Sequence, residues 1–188
     1  MGIAGAGRGT GVTHFCILAA NYLTSCLQHK TALIQWNDHG DFERLGRILK
    51  GSQPRGPQED TEYFRLLEAD YYTCGDSQVL AHCMEAAYDD IIIDFGELRE
   101  DIHAEWLRCG TKLIAAALDD WKLEAFLEFL AGEEKLGDRW IYLTAFGSEN
   151  TRHEIERQFH ISLKRVPLSV DAFSVDRRIM GWFEEILE

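Results

Sequence analysis

The chain has 188 residues, of which 46% are hydrophobic and 27% charged, with 19 basic against 32 acidic side chains and a net charge of −13. That length suits one domain able to bury roughly 70% of the surface its unfolded chain exposes. The acidic balance argues against coating nucleic acid or adsorbing to anionic lipid, because both draw affinity from lysine and arginine set against phosphates.

The first feature along the chain is a short apolar run followed by Gly5-Ala-Gly-Arg-Gly-Thr-Gly-Val-Thr13. On the P-loop pattern G-x-x-x-x-G-K-S/T, Gly11 falls on the second glycine and Thr13 on the Mg²⁺-binding hydroxyl. Ala6 stands at the first glycine and Val12 at the lysine. Such a loop holds phosphates with its backbone N–H groups and the N-terminus of the next helix, and its lysine offsets charge on the β- and γ-phosphates. The cradle is present and its cation is missing; Arg8 is the one nearby replacement. A glycine-rich turn after a strand is weak evidence alone, but His14 to Gln28 carries Phe15, Leu18, Ala19, Tyr22, Leu23 and Cys26 at helical spacing. Thr31 to Trp36 then reads as a buried strand, giving strand, loop, helix, strand.

The alternation continues. Asp41 to Leu49 is predicted as a short helix, Gly51 to Asp60 as a Pro/Gly-rich loop, Tyr63 to Thr73 as containing a strand and Ser77 to Tyr88 as a helix. Asp90 to Phe95 is a continuous apolar strand closed by an acid. There follow a helix over Glu97 to Arg108, a strand over Lys112 to Leu118, a helix over Trp121 to Leu130 and a strand over Arg139 to Thr144. A helix over Asn150 to Phe159, a strand over Leu163 to Val166 and a terminal helix over Val175 to Leu187 complete the chain. This is an α/β pattern: one doubly wound, mostly parallel sheet of about seven strands with helices on both faces. Ligands of such sheets bind at the carboxyl ends of the strands, which gives weight to Asp94 as a Walker B acid and to Gln35, Asn37 and Asp38 on the phosphate side. An aspartate there also caps helices, so Asp94 has a second, structural reading.

Five cysteines (Cys16, Cys26, Cys74, Cys83, Cys109) are odd in number and lack C-x-x-C spacing. Cys16, Cys26 and Cys83 fall in helical patterns, which suggests reduced core thiols in a cytoplasmic protein. No signal-peptide pattern or run of about 18 apolar residues is present.

Taken together, the motifs resemble those of the MinD/ParA-type P-loop ATPases, and most the divergent branch that includes TadZ/CpaE-like pilus-assembly proteins. Four stretches carry the resemblance: Gly5 to His14, Leu33 to Phe42 (which in the family reads like LIDLDPQGN), Tyr88 to Phe95, and Arg165 to Phe173 as the late strand and nucleotide-base loop. The resemblance implies either no nucleotide or ATP or ADP with Mg²⁺, weakly held, against Gly7, Arg8, Gly9, Thr10, Gly11, Val12, Thr13 and His14, with Thr13 and Asp94 at the metal. The departures are as telling. The family's signature lysine falls on Gly7 and its ordinary P-loop lysine on Val12; its two second-strand aspartates fall on Gln35 and Asn37. No asparagine stands at Thr144-Ala145-Phe146, where the family contacts adenine. Losing one transition-state donor costs about 10²–10³ in rate, so the losses together argue against hydrolysis.

Three readings follow. The first is a non-hydrolysing adaptor or localisation factor, with protein partners in a membrane-associated pilus or secretion machine. The second is a switch that binds ATP through backbone amides, Arg8 and Thr13 and then dimerises. The third is an enzyme whose lysine comes from another chain. On the first reading any homodimer is independent of ATP and uses a surface around Thr10, Trp36 and Phe95. Among the remaining residues, His14 either faces the phosphates or caps the loop, and Trp106, Trp121, Trp140 and Trp182 are assigned to the core. Trp36 ends the second strand at the ligand edge. The acidic runs Glu124 to Glu134 and Glu184 to Glu188 are solvated helix faces. The terminal helix is expected to pack on its own sheet.

Overall fold

The computed structural model describes residues 1–50, 63–132 and 140–187. The predicted Gly51 to Asp60 loop and the end of the first acidic run lie outside those residues. Eight strands form one sheet: β1 (Gly2–Gly5), β2 (Thr31–Gln35), β3 (Tyr63–Leu66), β4 (Ala69–Tyr72), β5 (Asp90–Glu97), β6 (Lys112–Leu118), β7 (Trp140–Gly147) and β8 (Leu163–Arg165). Their order is β3-β4-β2-β5-β1-β6-β7-β8, parallel throughout except for β3 against β4. The helices are α1 (Val12–Ser25), α2 (Asp41–Lys50), α3 (Ser77–Glu85), α4 (His103–Arg108), α5 (Leu123–Gly132), α6 (Glu149–Phe159) and α7 (Arg177–Leu187).

The strands at the centre are apolar on both faces because helices cover both. Successive residues alternate sides: Ile3, Leu33, Ile92 and Leu113 meet α1 and α7, while Ala4, Ile93 and Ile114 meet Trp106 of α4 and Phe126 of α5. The terminal helix, expected on its own sheet, joins the core cluster on that face mainly through α1. Phe183 stacks on Tyr22 with ring centroids 4.8 Å apart and lies 5.5 Å from Phe15. No helix among the described residues is long and apolar enough to cross a membrane.

Several boundaries differ from the sequence reading. The segment Tyr63 to Thr73 holds two strands, not one, because Leu67 and Glu68 both adopt positive φ (46° and 68°) and turn the chain back on itself; this hairpin supplies the eighth strand. Glu97 belongs to β5, and the helix foreseen from it shrinks to a 3₁₀ turn at Glu100–Ile102 and the six residues of α4. Gly96 (φ 65°) lies inside β5, where the register against β1 shifts between Asp94 and Glu97. Trp121 is not core: it is 93% exposed in the connection before α5. Trp106 is fully buried, whereas Trp140 and Trp182 are half-buried at the edge of the core. All five cysteines are free, but Cys26, at the C-cap of α1, is exposed and so is Cys74; only Cys16 and Cys83 are buried.

Candidate functional site

The loop between β1 and α1 is closed from inside and open outward. At Gly5 an added Cβ would lie 2.4 Å from the Thr10 hydroxyl and 2.8 Å from the Gly7 carbonyl, so only glycine lets the loop fold back on the strand. The Thr10 hydroxyl donates to that carbonyl at 3.2 Å. Gly9 (φ 68°) and Gly11 (φ 88°) take the left-handed conformation that L side chains resist. Gly11 caps α1 and accepts from Phe15 N–H at 3.0 Å. Among the described residues, no backbone N–H from Gly7 to His14 is committed to a protein acceptor. A row of free N–H groups at the start of a 14-residue helix is an anion-binding arrangement.

The other predicted site residues divide into two groups. Thr13 and Asp94 come together: the Thr13 hydroxyl donates to Asp94 Oδ2 at 2.7 Å, across 81 residues of sequence. Asp94 sits one strand from β1, paired with Ile3, and is 1% exposed. Burial pushes its carboxyl above the ordinary range; the hydrogen bonds from Thr13 and Gly96 N–H and the charge of His39 oppose that shift, and Asp41 adds to it. The sequence reading missed Asp41, whose Oδ2 lies 3.5 Å from the Thr13 hydroxyl. Its signal was an acid opening a helix directly after the second strand. Thr13, Asp94 and Asp41 together offer oxygen donors to a hard cation, which suits Mg²⁺.

Other residues turn away. Arg8 is 80% exposed and its Nε lies 3.9 Å from Glu97. Val12 is buried against the core. Gln35 does not face a phosphate: it is 1% exposed and spends its amide inside the protein, donating to Asn37 Oδ1 and accepting from Phe42 N–H, each at 2.9 Å. Asn37 in turn donates to Asp94 Oδ1 at 2.9 Å and to its carbonyl at 3.0 Å. Gly96 N–H takes the same Oδ1 at 2.9 Å. The two amides where the resemblance places aspartates thus form a closed network that holds the one remaining acid.

Beside the loop lies an apolar cavity of about 270 Å³, between the first turns of α1 and the carboxyl ends of β6, β7 and β8. Phe15, Ala116, Ala145 and Leu168 line it, with Lys122 at the loop side. Thr144 Oγ1 donates to Phe146 O at 2.9 Å, so this hydroxyl is tied to its own strand. His14 lines the cavity too, and its Nε2 is sealed from solvent with no hydrogen-bond partner among the described residues. His14 is thus no exposed cap on the loop. Phe95 is 1% exposed against Trp106, which removes it from any surface shared with Thr10 and Trp36.

No protein-family profile and no curated protein sequence matches the chain. Solved structures do. The MinD cell division protein of Aquifex aeolicus aligns with a TM-score of 0.68 at 14% identity, over 99% of this chain and 95% of its own. A plasmid partition protein of Borrelia burgdorferi B31, solved with AMPPNP bound, gives 0.62 at 16% identity, covering 99% and 95%. A ParA family ATPase of Chlorobium tepidum gives 0.55 at 18% identity, covering 89% and 83%. The chain therefore has the MinD/ParA-type P-loop fold.

Proposed function

We propose that this chain is a MinD/ParA-like P-loop protein that holds a nucleotide without hydrolysing it and serves as an adaptor or localisation factor. Its partners on this reading are proteins of a membrane-associated machine of the pilus or secretion type. That assignment rests on the sequence resemblance to TadZ/CpaE-like proteins.

One observation supports the loss of hydrolysis: both oxygens of Asp94 accept from protein donors, and one donor is the amide of Asn37, where the resemblance places a carboxylate. An amide carries no charge to offset a metal and takes no proton from water. With Val12 in place of the loop lysine, the transferred phosphoryl group also loses the cation that would meet its charge. Each such loss slows transfer by about 10²–10³.

Binding survives these losses because it draws on different groups. The free N–H groups of Gly7 to Thr13 are suited to phosphate oxygens, and the apolar cavity beside Phe15 and Leu168 is suited to a planar base. Bound here, Mg²⁺ would neutralise phosphate charge beside Thr13, Asp94 and Asp41.

An adaptor of this kind does not need nucleotide to choose its oligomeric state. Sedimentation with and without ATP and Mg²⁺ tests that directly: the same species is expected in both. A monomer that becomes a dimer only with nucleotide would overturn the adaptor reading and establish a switch.

A further inference from the structure

The loop lacks a lysine, but the fold brings one to it from elsewhere. Lys122 lies between β6 and α5, and its Nζ donates to the Gly9 carbonyl at 2.8 Å, 113 residues away in sequence. It is the only lysine or arginine among the described residues lining the apolar cavity. Its backbone is fixed: Lys122 N–H and Leu123 N–H both donate to Asp119 O, at 3.0 and 2.9 Å, and Phe126 N–H donates to Lys122 O at 3.2 Å. Its charge is only lightly met. Gly9 O is neutral, and the nearest carboxylate, Asp119, is 4.0 Å away.

The end of the side chain lies over Gly9: a Cβ built there would be 3.6 Å from Nζ, an ordinary contact distance. Val12 is apolar and Arg8 is 80% exposed and does not line the cavity, whereas Lys122 is hydrogen-bonded to the loop and does, which makes it the positive charge at the junction between the N–H cradle and the cavity.

We propose that Lys122 is the phosphate-binding cation of this site, supplied from the β6–α5 connection in place of a lysine in the loop. The proposal rests on the reading of the loop and cavity as a nucleotide site. A nucleotide seated with its base in the cavity and its phosphates on the loop passes beside Nζ, which exchanges the Gly9 carbonyl for phosphate oxygen. A charged acceptor makes the stronger hydrogen bond, so the exchange is favourable. A lysine on a connection does not reproduce the reach of a loop lysine to a transferring phosphoryl group, which agrees with binding without hydrolysis.

Binding of ATP, ADP and adenosine, each with Mg²⁺, to the wild-type chain and to Lys122→Met and Lys122→Arg tests this by calorimetry, with thermal shift as a second readout. Wild type is expected to bind ATP more tightly than adenosine. Lys122→Met should weaken ATP about tenfold or more, the size of one charge-assisted hydrogen bond, and leave adenosine within about twofold. Lys122→Arg should recover most of the ATP affinity. Wild-type ATP affinity in Lys122→Met would overturn the role of Lys122 while leaving the nucleotide site intact. Equal loss of ATP and adenosine would reduce the lysine to a brace for the loop and overturn the proposal as well. A wild-type chain that binds none of the three would overturn both the proposal and the site it rests on.

Discussion

Asp94 shows how a single buried acid is held in place by neutral groups. It accepts from Thr13, Asn37 and Gly96 and lies near His39, yet burial outweighs these and raises its carboxyl pKa above the ordinary 3.8. A carboxyl raised on folding stabilises most when protonated: its contribution is full below the unfolded value and is lost as pH rises through the folded one. Free of nucleotide and Mg²⁺, Asp94→Asn should therefore melt higher than wild type at pH 7 to 8, by roughly 2–4 °C for each kcal/mol relieved, and the difference should vanish towards pH 4. Thermal melts across that range check it; a variant less stable at every pH would show that the ionised form is favoured. At this scale the sequence revealed the pair Thr13 and Asp94, because each sits in a local motif. It did not reveal Lys122 or the Gln35 and Asn37 network, because those depend on contacts across the sheet.

The elements themselves were largely legible, because apolar runs and helical spacing report burial directly. Lys112–Leu118 forms over the residues foreseen, and α1, α3 and α6 lie within a few residues of their predicted spans. The misreadings have local causes: two adjacent positive-φ residues make a hairpin from an apparent single strand, and Trp121 was assigned to the core on hydrophobicity although its connection runs over the surface. The two aromatic environments give a paired prediction. Phe183→Ala, which removes a ring stacked on Tyr22, should lower unfolding free energy by about 3–5 kcal/mol. Trp121→Ala should change it by less than about 0.5 kcal/mol, since the ring is almost wholly exposed. The loop yields a second pair under urea denaturation. Gly5→Ala meets loop backbone and should be the more damaging, at about 1–3 kcal/mol. Gly11→Ala meets no atom within 4 Å and carries only the left-handed penalty of about 1–2 kcal/mol.

At the scale of the molecule, a strand order with β1 between β5 and β6 sets the P-loop between Asp94 on one side and the β6–α5 connection with Lys122 on the other. The alternation of strands and helices implied that architecture, and the solved MinD and ParA structures share it. On the proposed reading, the chemistry departs from the architecture in a few side chains: the loop keeps its uncommitted N–H groups while Val12, Gln35 and Asn37 supply none of the charges that transfer requires. The central claim is therefore that nucleotide is held and left whole. Its most direct measurement is the fate of labelled ATP incubated with excess protein and Mg²⁺, separated into bound and free fractions and analysed for intact ATP, ADP and phosphate. The account predicts label retained with the protein and recovered as ATP. Protein-dependent release of phosphate that Asp94→Ala abolishes, or label that never stays with the protein, would contradict it.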